Sequence, residues 1–407
     1  MTRPQLEVAD VFREHGDAFL DQHGDTLSRE QRRALHDIAA CRTAELGGHV
    51  EECDRCGHQQ IAYNSCRNRH CPKCQATAAA QWMEARQSEL LPVEYFHVVF
   101  TLPAVLGPIA LQNPREVYGL LFRTAAETLQ QIAADPKHLG AEIGLLAVLH
   151  TWGQNLQHHP HVHCVVPGGG LSFDGSKWLA CQPRFFLPVR VLSRVFRGKF
   201  LALLRGAFDQ GKLSFHGKLA ALADPCEFQL QLTASAKEEW VVYAKPPFGG
   251  PDQVLKYLAR YTHRVAISNR RLVALEDGNV AFHWKDYAHG GDQKMMTLTA
   301  AEFIRRFLLH VLPSGFVRIR HYGFLANRVC RDKLALCRAL LGAEPTPEPV
   351  ASEPCVEPDE TAEELETPHA CPSCGVGRMV IVESFKAIPV KRRECESILE
   401  PAGFDTS

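Results

Sequence analysis

The sequence predicts an α+β protein built around an antiparallel central sheet, and three observations carry that prediction. Short, largely apolar runs read as buried strands: Tyr95 to Leu102, Ile143 to Thr151 and His161 to Val166. Longer segments with apolar residues three and four positions apart read as amphipathic helices. The link between the second and third runs is short, which suits antiparallel neighbours rather than a crossover.

The remaining elements follow in order. Residues 1 to about 45 predict helices, with Val8, Val11 and Phe12, then Leu35 and Ile38, at helical spacing. Residues 49 to 76 are dense in Cys, Arg and His and poor in aliphatics. Such a segment cannot build its own apolar core, so a metal is its expected organiser. Pro114 to Ala134 predicts a helix with Pro at its start. The run Pro167-Gly168-Gly169-Gly170 ends the third strand. Val189 to Phe208 predicts a basic amphipathic helix carrying Arg190, Arg194, Arg197, Lys199 and Arg205. Pro251 to Ala266 predicts another helix, Arg271 to Trp284 a hairpin turning at Asp277-Gly278, and Thr299 to Leu312 a further helix. The expected organisation is a helical and zinc-binding region at 1–90, a main domain at 91–340, a Pro/Glu-rich linker at 341–368 and a small Cys-containing tail at 369–407.

Composition narrows the function classes. Of 407 residues, 45% are hydrophobic and 22% charged, as in an ordinary globular protein. The net charge of -1 argues against a nucleic-acid partner until its distribution is read. Glu344 to Glu366 holds nine acidic residues and no Lys or Arg, so the rest of the chain carries +8. A basic body is thus hidden behind an acidic segment. No run of 18 apolar residues exists, so no membrane span is expected. The start, Thr2 to Asp21, is mixed and charged, unlike a secretory signal. The 15 cysteines are odd in number, and six lie in three Cys-x-x-Cys pairs, the spacing of metal ligands rather than of a disulfide scaffold. The expected setting is a reducing cytoplasm.

The first two pairs are Cys53-x-x-Cys56 and Cys71-x-x-Cys74, with Cys66 and His70 between them. Two such knuckles match a structural tetrahedral zinc site with ligands Cys53, Cys56, Cys71 and Cys74. Cys66 or His70 is an alternative ligand, or belongs to a second ion. Arg55, Arg67, Arg69 and Lys73 would then stand on a rigid knob suited to phosphates. In the tail, His369, Cys371-x-x-Cys374 and Cys395 form a candidate second zinc site.

The segment Gln154-Asn155-Leu156-Gln157-His158-His159-Pro160-His161-Val162-His163-Cys164 holds a different pattern. On a strand, residues i and i+2 share a face, so His161 and His163 point one way while Val162 and Cys164 point into the core. Two imidazoles on one face are half of a metal site. Gln154, at the end of the preceding strand, is a candidate third ligand. His158 and His159 read as loop residues close to DNA.

Further on, Tyr257 and Tyr261 are i and i+4 in a helical pattern, with Arg260 and Arg264 one turn apart beside them. A phenol near a divalent cation and guanidinium groups has the means to act as a nucleophile on phosphate. Arg318-Ile319-Arg320-His321-Tyr322 interleaves cations with aromatics, as single-strand binding does, which makes Arg318 and Arg320 candidate DNA contacts.

Together these residues resemble the HUH superfamily of single-strand DNA endonucleases. The Cys-rich segment, the two-tyrosine helix and the run from Gly315 to Gly323 look like the rolling-circle transposases of the insertion sequence 91 family. The resemblance covers residues 30 to 335. It implies a ferredoxin-like (RRM-like) palm at 91–340, with Mg²⁺ or Mn²⁺ held by His161, His163 and a third polar ligand such as Gln154. It implies a tyrosine attacking single-stranded DNA at transposon ends and target, leaving a 5′-phosphotyrosine and a 3′-OH. No Gly-x-x-x-x-Gly-Lys-Ser/Thr loop is present, so strand separation would fall to a host helicase or replication protein. Two other readings stay open: a plasmid replication or mobilisation relaxase with the same chemistry, and a non-catalytic zinc-containing DNA-binding regulator.

Overall fold

The computed structural model describes residues 6–75, 90–245, 265–286, 290–343 and 369–387. In chain order its helices are α1 (Val8–His23), α2 (Arg29–Ala40), α3 (Gly107–Gln112), α4 (Pro114–Ala134), α5 (Val189–Asp209), α6 (Pro225–Lys237), α7 (Ala300–Leu308) and α8 (Cys330–Leu340). The strands are β1 (Gly48–Cys53), β2 (Gln59–Tyr63), β3 (Tyr95–Thr101), β4 (Gly144–Trp152), β5 (His158–Pro167), β6 (Gly169–Leu171), β7 (Trp178–Ala180) and β8 (Val242–Lys245). They continue with β9 (Leu272–Glu276), β10 (Asn279–Asp286), β11 (Asp292–Thr299), β12 (Ile319–Gly323) and β13 (Met379–Phe385). The chain divides into a larger unit, 1–39 with 67–363, and a smaller one, 40–66 with 364–407.

The larger unit is built on an antiparallel sheet of order β12-β4-β5-β3-β8. The strand-forming runs are apolar on both faces because each face is covered in part. On one face Phe96, Val98, Phe100, Ala147, Leu149, Val162 and Cys164 pack against α4 and α5 through Val117, Leu121, Leu192, Phe196 and Phe200. Burying each of those large side chains stabilises the fold by roughly 1.5–3 kcal/mol. The opposite face carries Tyr95, Leu146, Val148 and Val165 towards one end. His161, with its cross-strand partners Thr101 and His150, lies towards the other.

Local chemistry fixes the helix ends. Pro114 opens α4, where no backbone donor is needed. The preceding Asn113 side chain exchanges two hydrogen bonds with the Ser214 backbone, at 2.7 and 2.9 Å. Asp224 caps α6 by accepting from the Cys226 and Glu227 amides. Thr299 does the same for α7. At the end of β12, Gly323 has φ +61, and a Cβ there would lie 1.8 Å from the Ile143 carbonyl oxygen, so only glycine fits.

A second sheet, β9-β10-β11, turns at Asp277 (φ +49) and Gly278 (φ +71), the predicted hairpin with both central residues left-handed. Phe282 of β10 meets Phe303 of α7 at 5.9 Å between ring centroids, and Phe12 of α1 meets Phe307 at 5.1 Å. The N-terminal helices therefore build the larger unit instead of a separate 1–90 region. Their predicted apolar positions, Val8, Val11, Phe12, Leu35 and Ile38, are all buried.

The Gly-rich run expected to end the third strand enters another one. β5 runs to Pro167, and Gly169 and Gly170 continue as β6, paired with β7. A side chain at Gly170 would collide with the Glu142 carbonyl, so glycine is what lets the backbone pass.

The smaller unit is a sheet of order β13-β1-β2. The tail expected to stand alone supplies its β13, paired along β1 from Gly48↔Phe385 to Cys53↔Met379.

Candidate metal centres

β5 lies between β4 and β3, so residues on its exposed face are flanked on both sides. His161 pairs with His150 of β4 and Thr101 of β3, and His163 pairs with Val148 and Val99. Val162 and Cys164 point the other way into the core, as the alternation requires. His150, His161 and His163 each bring one ring nitrogen within 4.8 Å of the others. Their ring centroids are 4.4 to 5.5 Å apart.

Two of these rings are oriented by a second contact. The Nδ1 of His161 donates to the His159 carbonyl at 2.6 Å. The Nδ1 of His163 lies 2.7 Å from Nε2 of His97, a buried residue of β3. Burial, reinforced by the charges of Lys245 and His161, pushes His97 down to about 3, so it is a neutral partner. Fixing Nδ1 turns Nε2 towards the cluster, the usual arrangement of a metal-binding imidazole.

The third imidazole comes from His150, where Gln154 was expected. β4 extends to Trp152, past the predicted strand end, and Gln154 falls in the turn beyond it, with Leu156 at φ +62. There the Gln154 carbonyl accepts from the Arg271 guanidinium. His97 and His150 were missed because each is a lone histidine in an apolar run. The signal was available: antiparallel pairing across the short link sets β4's last histidine opposite His161.

His158 is a strand residue, not a loop one. Its Nε2 hydrogen-bonds with the Tyr118 hydroxyl at 2.8 Å, and burial, with help from His159, pushes it down to about 4. The basic features expected to face DNA are mostly engaged by protein. Arg318 is buried, its guanidinium donating to Oε1 of Gln75 at 2.8 Å. Arg320 lies over the Phe122 ring, 4.4 Å from its centroid. Arg69 donates to the carbonyls of Phe316 and Pro313, and Lys73 pairs with Glu7 at 2.9 Å. On α5, Arg197 donates to the Ala236 carbonyl and Lys199 pairs with Glu127, while Arg190 and Arg194 are exposed. Tyr257, Tyr261, Arg260 and Arg264 lie outside the described residues.

The thiols do not gather as their spacing suggested. Cys53 and Cys56 group with Cys371 and Cys374, all within the smaller unit and with sulfurs within 4.8 Å of one another. Cys71 and Cys74 belong to the larger unit. His70 is committed elsewhere: it is buried, and its Nε2 accepts the Leu312 backbone N–H at 3.3 Å. Burial first, then the neighbouring charges of Arg69 and Arg318, hold it neutral. The four cysteines expected to share an ion do not group together, because sequence spacing cannot see a partner knuckle more than 300 residues away.

Comparison with known proteins gives the family. Residues 144–333 match a family described as "Putative transposase", and residues 11–102 match a "Transposase zinc-binding domain". The chain is 60% identical over 390 residues to "Putative transposase y4qJ" of Sinorhizobium fredii, covering 95% of this chain and 98% of that protein. It is 30% identical over 361 residues to "Transposase for insertion sequence element IS801" of Pseudomonas savastanoi pv. phaseolicola, covering 87% and 84%. The chain belongs to the insertion sequence 91 family of transposases. No solved structure matches it. The histidine cluster of the transposase lies inside the first matched region, with His97 on the strand just before it. Cys53, Cys56, Cys71 and Cys74 lie inside the zinc-binding one, whereas Cys371 and Cys374 lie beyond both. Among the described residues no helix of the transposase is long and apolar enough to cross a membrane.

Proposed function

We propose that the transposase cuts and rejoins single-stranded DNA through a 5′-phosphotyrosine, as a rolling-circle enzyme of the HUH type. The observation that supports this most is the cluster of His150, His161 and His163, with His97 behind His163. Three imidazoles, two of them held through their far nitrogens, fit a divalent cation. They suit Mn²⁺ better than Mg²⁺, which prefers an all-oxygen shell. We take His150 as the third ligand in place of Gln154. The order β4-β5-β3-β8, with α4 following β3 and α5 following β5, supports a ferredoxin-like palm.

A divalent ion at this cluster would polarise the scissile phosphate and stabilise the departing oxygen. The protein supplies the nucleophile, Tyr257 or Tyr261. The phenolic oxygen bonds to phosphorus, the P–O3′ bond breaks, and the phenol's proton is balanced by the one the 3′ oxygen takes up. Arg260 and Arg264, one turn apart on the predicted helix, would hold the phosphate. Two tyrosines allow one cleavage to begin strand transfer and a second to end it. The ester preserves the bond energy, so rejoining needs no ATP. Unwinding falls to host replication proteins, and the setting is the cytoplasm. Zinc bound through Cys71 and Cys74 would be structural. Both relatives are named as transposases, which favours transposition over a plasmid relaxase or a regulator.

The test is incubation of the protein with labelled single-stranded candidate ends and Mn²⁺ or Mg²⁺, followed by a denaturing gel. A covalent adduct that disappears in EDTA is the expected result. Persistent DNA binding with no adduct on any end sequence would overturn the reading.

A further inference from the structure

Among its described residues the smaller unit has almost no apolar core. Its buried cluster is Cys53, Cys371 and Met379, with Cys374 against it, while Ile61, Ile381 and Val382 are more than half exposed. So little apolar burial cannot order a three-stranded sheet, and such small units depend on a staple. The staple is visible in the arrangement of sulfurs.

We propose that one zinc ion is shared by two knuckles from distant parts of the chain, Cys53-x-x-Cys56 and Cys371-x-x-Cys374, and that it makes the tail part of the smaller unit. The two segments are built alike. Each is Cys-x-x-Cys-Gly, and the glycines, Gly57 and Gly375, take φ +70 and +68. In each, the glycine N–H donates to the carbonyl of the first cysteine, at 3.1 and 2.9 Å. In each, a backbone amide two residues on donates to the first sulfur at 3.4 Å: Arg55 to Cys53 and Ser373 to Cys371. The Gly377 amide adds a third such bond, to Cys374 at 3.3 Å. Amides directed at sulfur favour the thiolate that binds metal.

Between the knuckles the sulfur distances fit a metal and not a disulfide. Cys53 and Cys374 are 3.7 Å apart, as are Cys56 and Cys371. A tetrahedron with Zn–S bonds of about 2.3 Å has edges of about 3.8 Å, whereas a disulfide needs about 2.05 Å. Neighbouring backbone locks the pair: the Arg378 amide donates to Asp54 Oδ1 at 2.8 Å, and the Asp54 amide to the Arg378 carbonyl at 3.0 Å. A Cβ at Gly377 would stand 2.4 Å from the Cys53 sulfur, so this close approach requires glycine. His369, expected as a tail ligand, is outside the group and sits beside Glu51 at 3.6 Å.

Zinc content of the purified full-length chain tests the proposal. Cys53→Ser/Cys56→Ser and Cys371→Ser/Cys374→Ser should each lose one equivalent, and the fourfold variant should lose the same single equivalent. Cys374→His, which keeps a ligand, should retain the metal and guards against a folding artefact. In wild type, chelation should expose Cys53, Cys56, Cys371 and Cys374 to alkylation together. Unchanged zinc in the tail variant, or loss of two equivalents in the fourfold variant, would overturn a shared ion. None of these readouts involves DNA cleavage, so they stand or fall apart from the adduct assay.

Discussion

The Nε2 of His97 lies 2.7 Å from the Nδ1 of His163, and the two rings stack with their planes 10° apart. A neutral, buried imidazole thus backs a strand histidine that faces the candidate catalytic cation. This contact makes His97 a positioning residue. His97→Ala should weaken Mn²⁺ binding by about 10–100-fold, the usual effect of losing such a partner. His97→Gln, which keeps a hydrogen-bonding group, should recover part of it. Mn²⁺ titration checks this apart from cleavage, and unchanged affinity in both variants would remove the role.

The third ligand is decided by comparing two alanine variants. His150→Ala should abolish metal-dependent cleavage, while Gln154→Ala should leave it near wild type. Metal dependence of adduct formation across the pair is the measurement. The opposite outcome would return Gln154 to the site.

Tyr118 and His158 form a buried hydrogen bond outside the cluster. Tyr118→Phe should destabilise the protein by about 1–3 kcal/mol, because it leaves the His158 nitrogen buried without its hydrogen-bond partner. Urea denaturation reads this directly.

His310 gives a pH dependence with a definite sign. Its Nε2 donates to the Leu156 carbonyl at 3.0 Å, its Nδ1 lies 3.2 Å from the Thr151 hydroxyl, and burial pushes it down to about 3. In the unfolded chain it titrates near its ordinary value of about 6.5. Between those values the unfolded state takes up a proton the native state refuses. Stability is therefore full above pH 6.5 and falls as the pH drops towards 3, by up to about 1.4 kcal/mol per pH unit from this group. His310→Gln should flatten the curve between pH 5 and 7 in denaturation experiments.

Arg318 separates structure from DNA contact. Because its guanidinium is buried against Gln75, Arg318→Ala should lower thermal stability. At a temperature where the variant is folded, its affinity for single-stranded DNA should match wild type. Arg190→Ala/Arg194→Ala, on the exposed side of α5, should do the reverse.

Much of the fold was legible because apolar period and punctuation agree. Tyr95 to Thr101 is a strand, Pro114–Ala134 is the predicted helix residue for residue, and Asp277-Gly278 makes the predicted turn. His161 and His163 share a face for the reason given by strand alternation. What escaped depends on distance or on context. β8 is only four residues long, at the end of a short apolar run from Trp240 to Ala244, and β11, from Asp292 to Thr299, is largely exposed and mixed in composition. The partner of the Cys53 knuckle is set by the pairing of β1 with β13, which local spacing does not encode. Arg69, Lys73 and Arg318 read as a phosphate surface. Nothing in a sequence says that a cation is needed by the protein itself, to bind backbone carbonyls, a carboxylate or a buried amide.

The central claim is that Tyr257 or Tyr261 attacks DNA with the help of a cation held by β4 and β5. Mass spectrometry of the protein–DNA adduct, after nuclease and protease digestion, tests it most directly. The account predicts a nucleotide remnant on the peptide containing Tyr257 and Tyr261, formed only with a divalent cation and lost in His161→Ala. A remnant on any other residue, or an adduct formed equally well in EDTA, would contradict it.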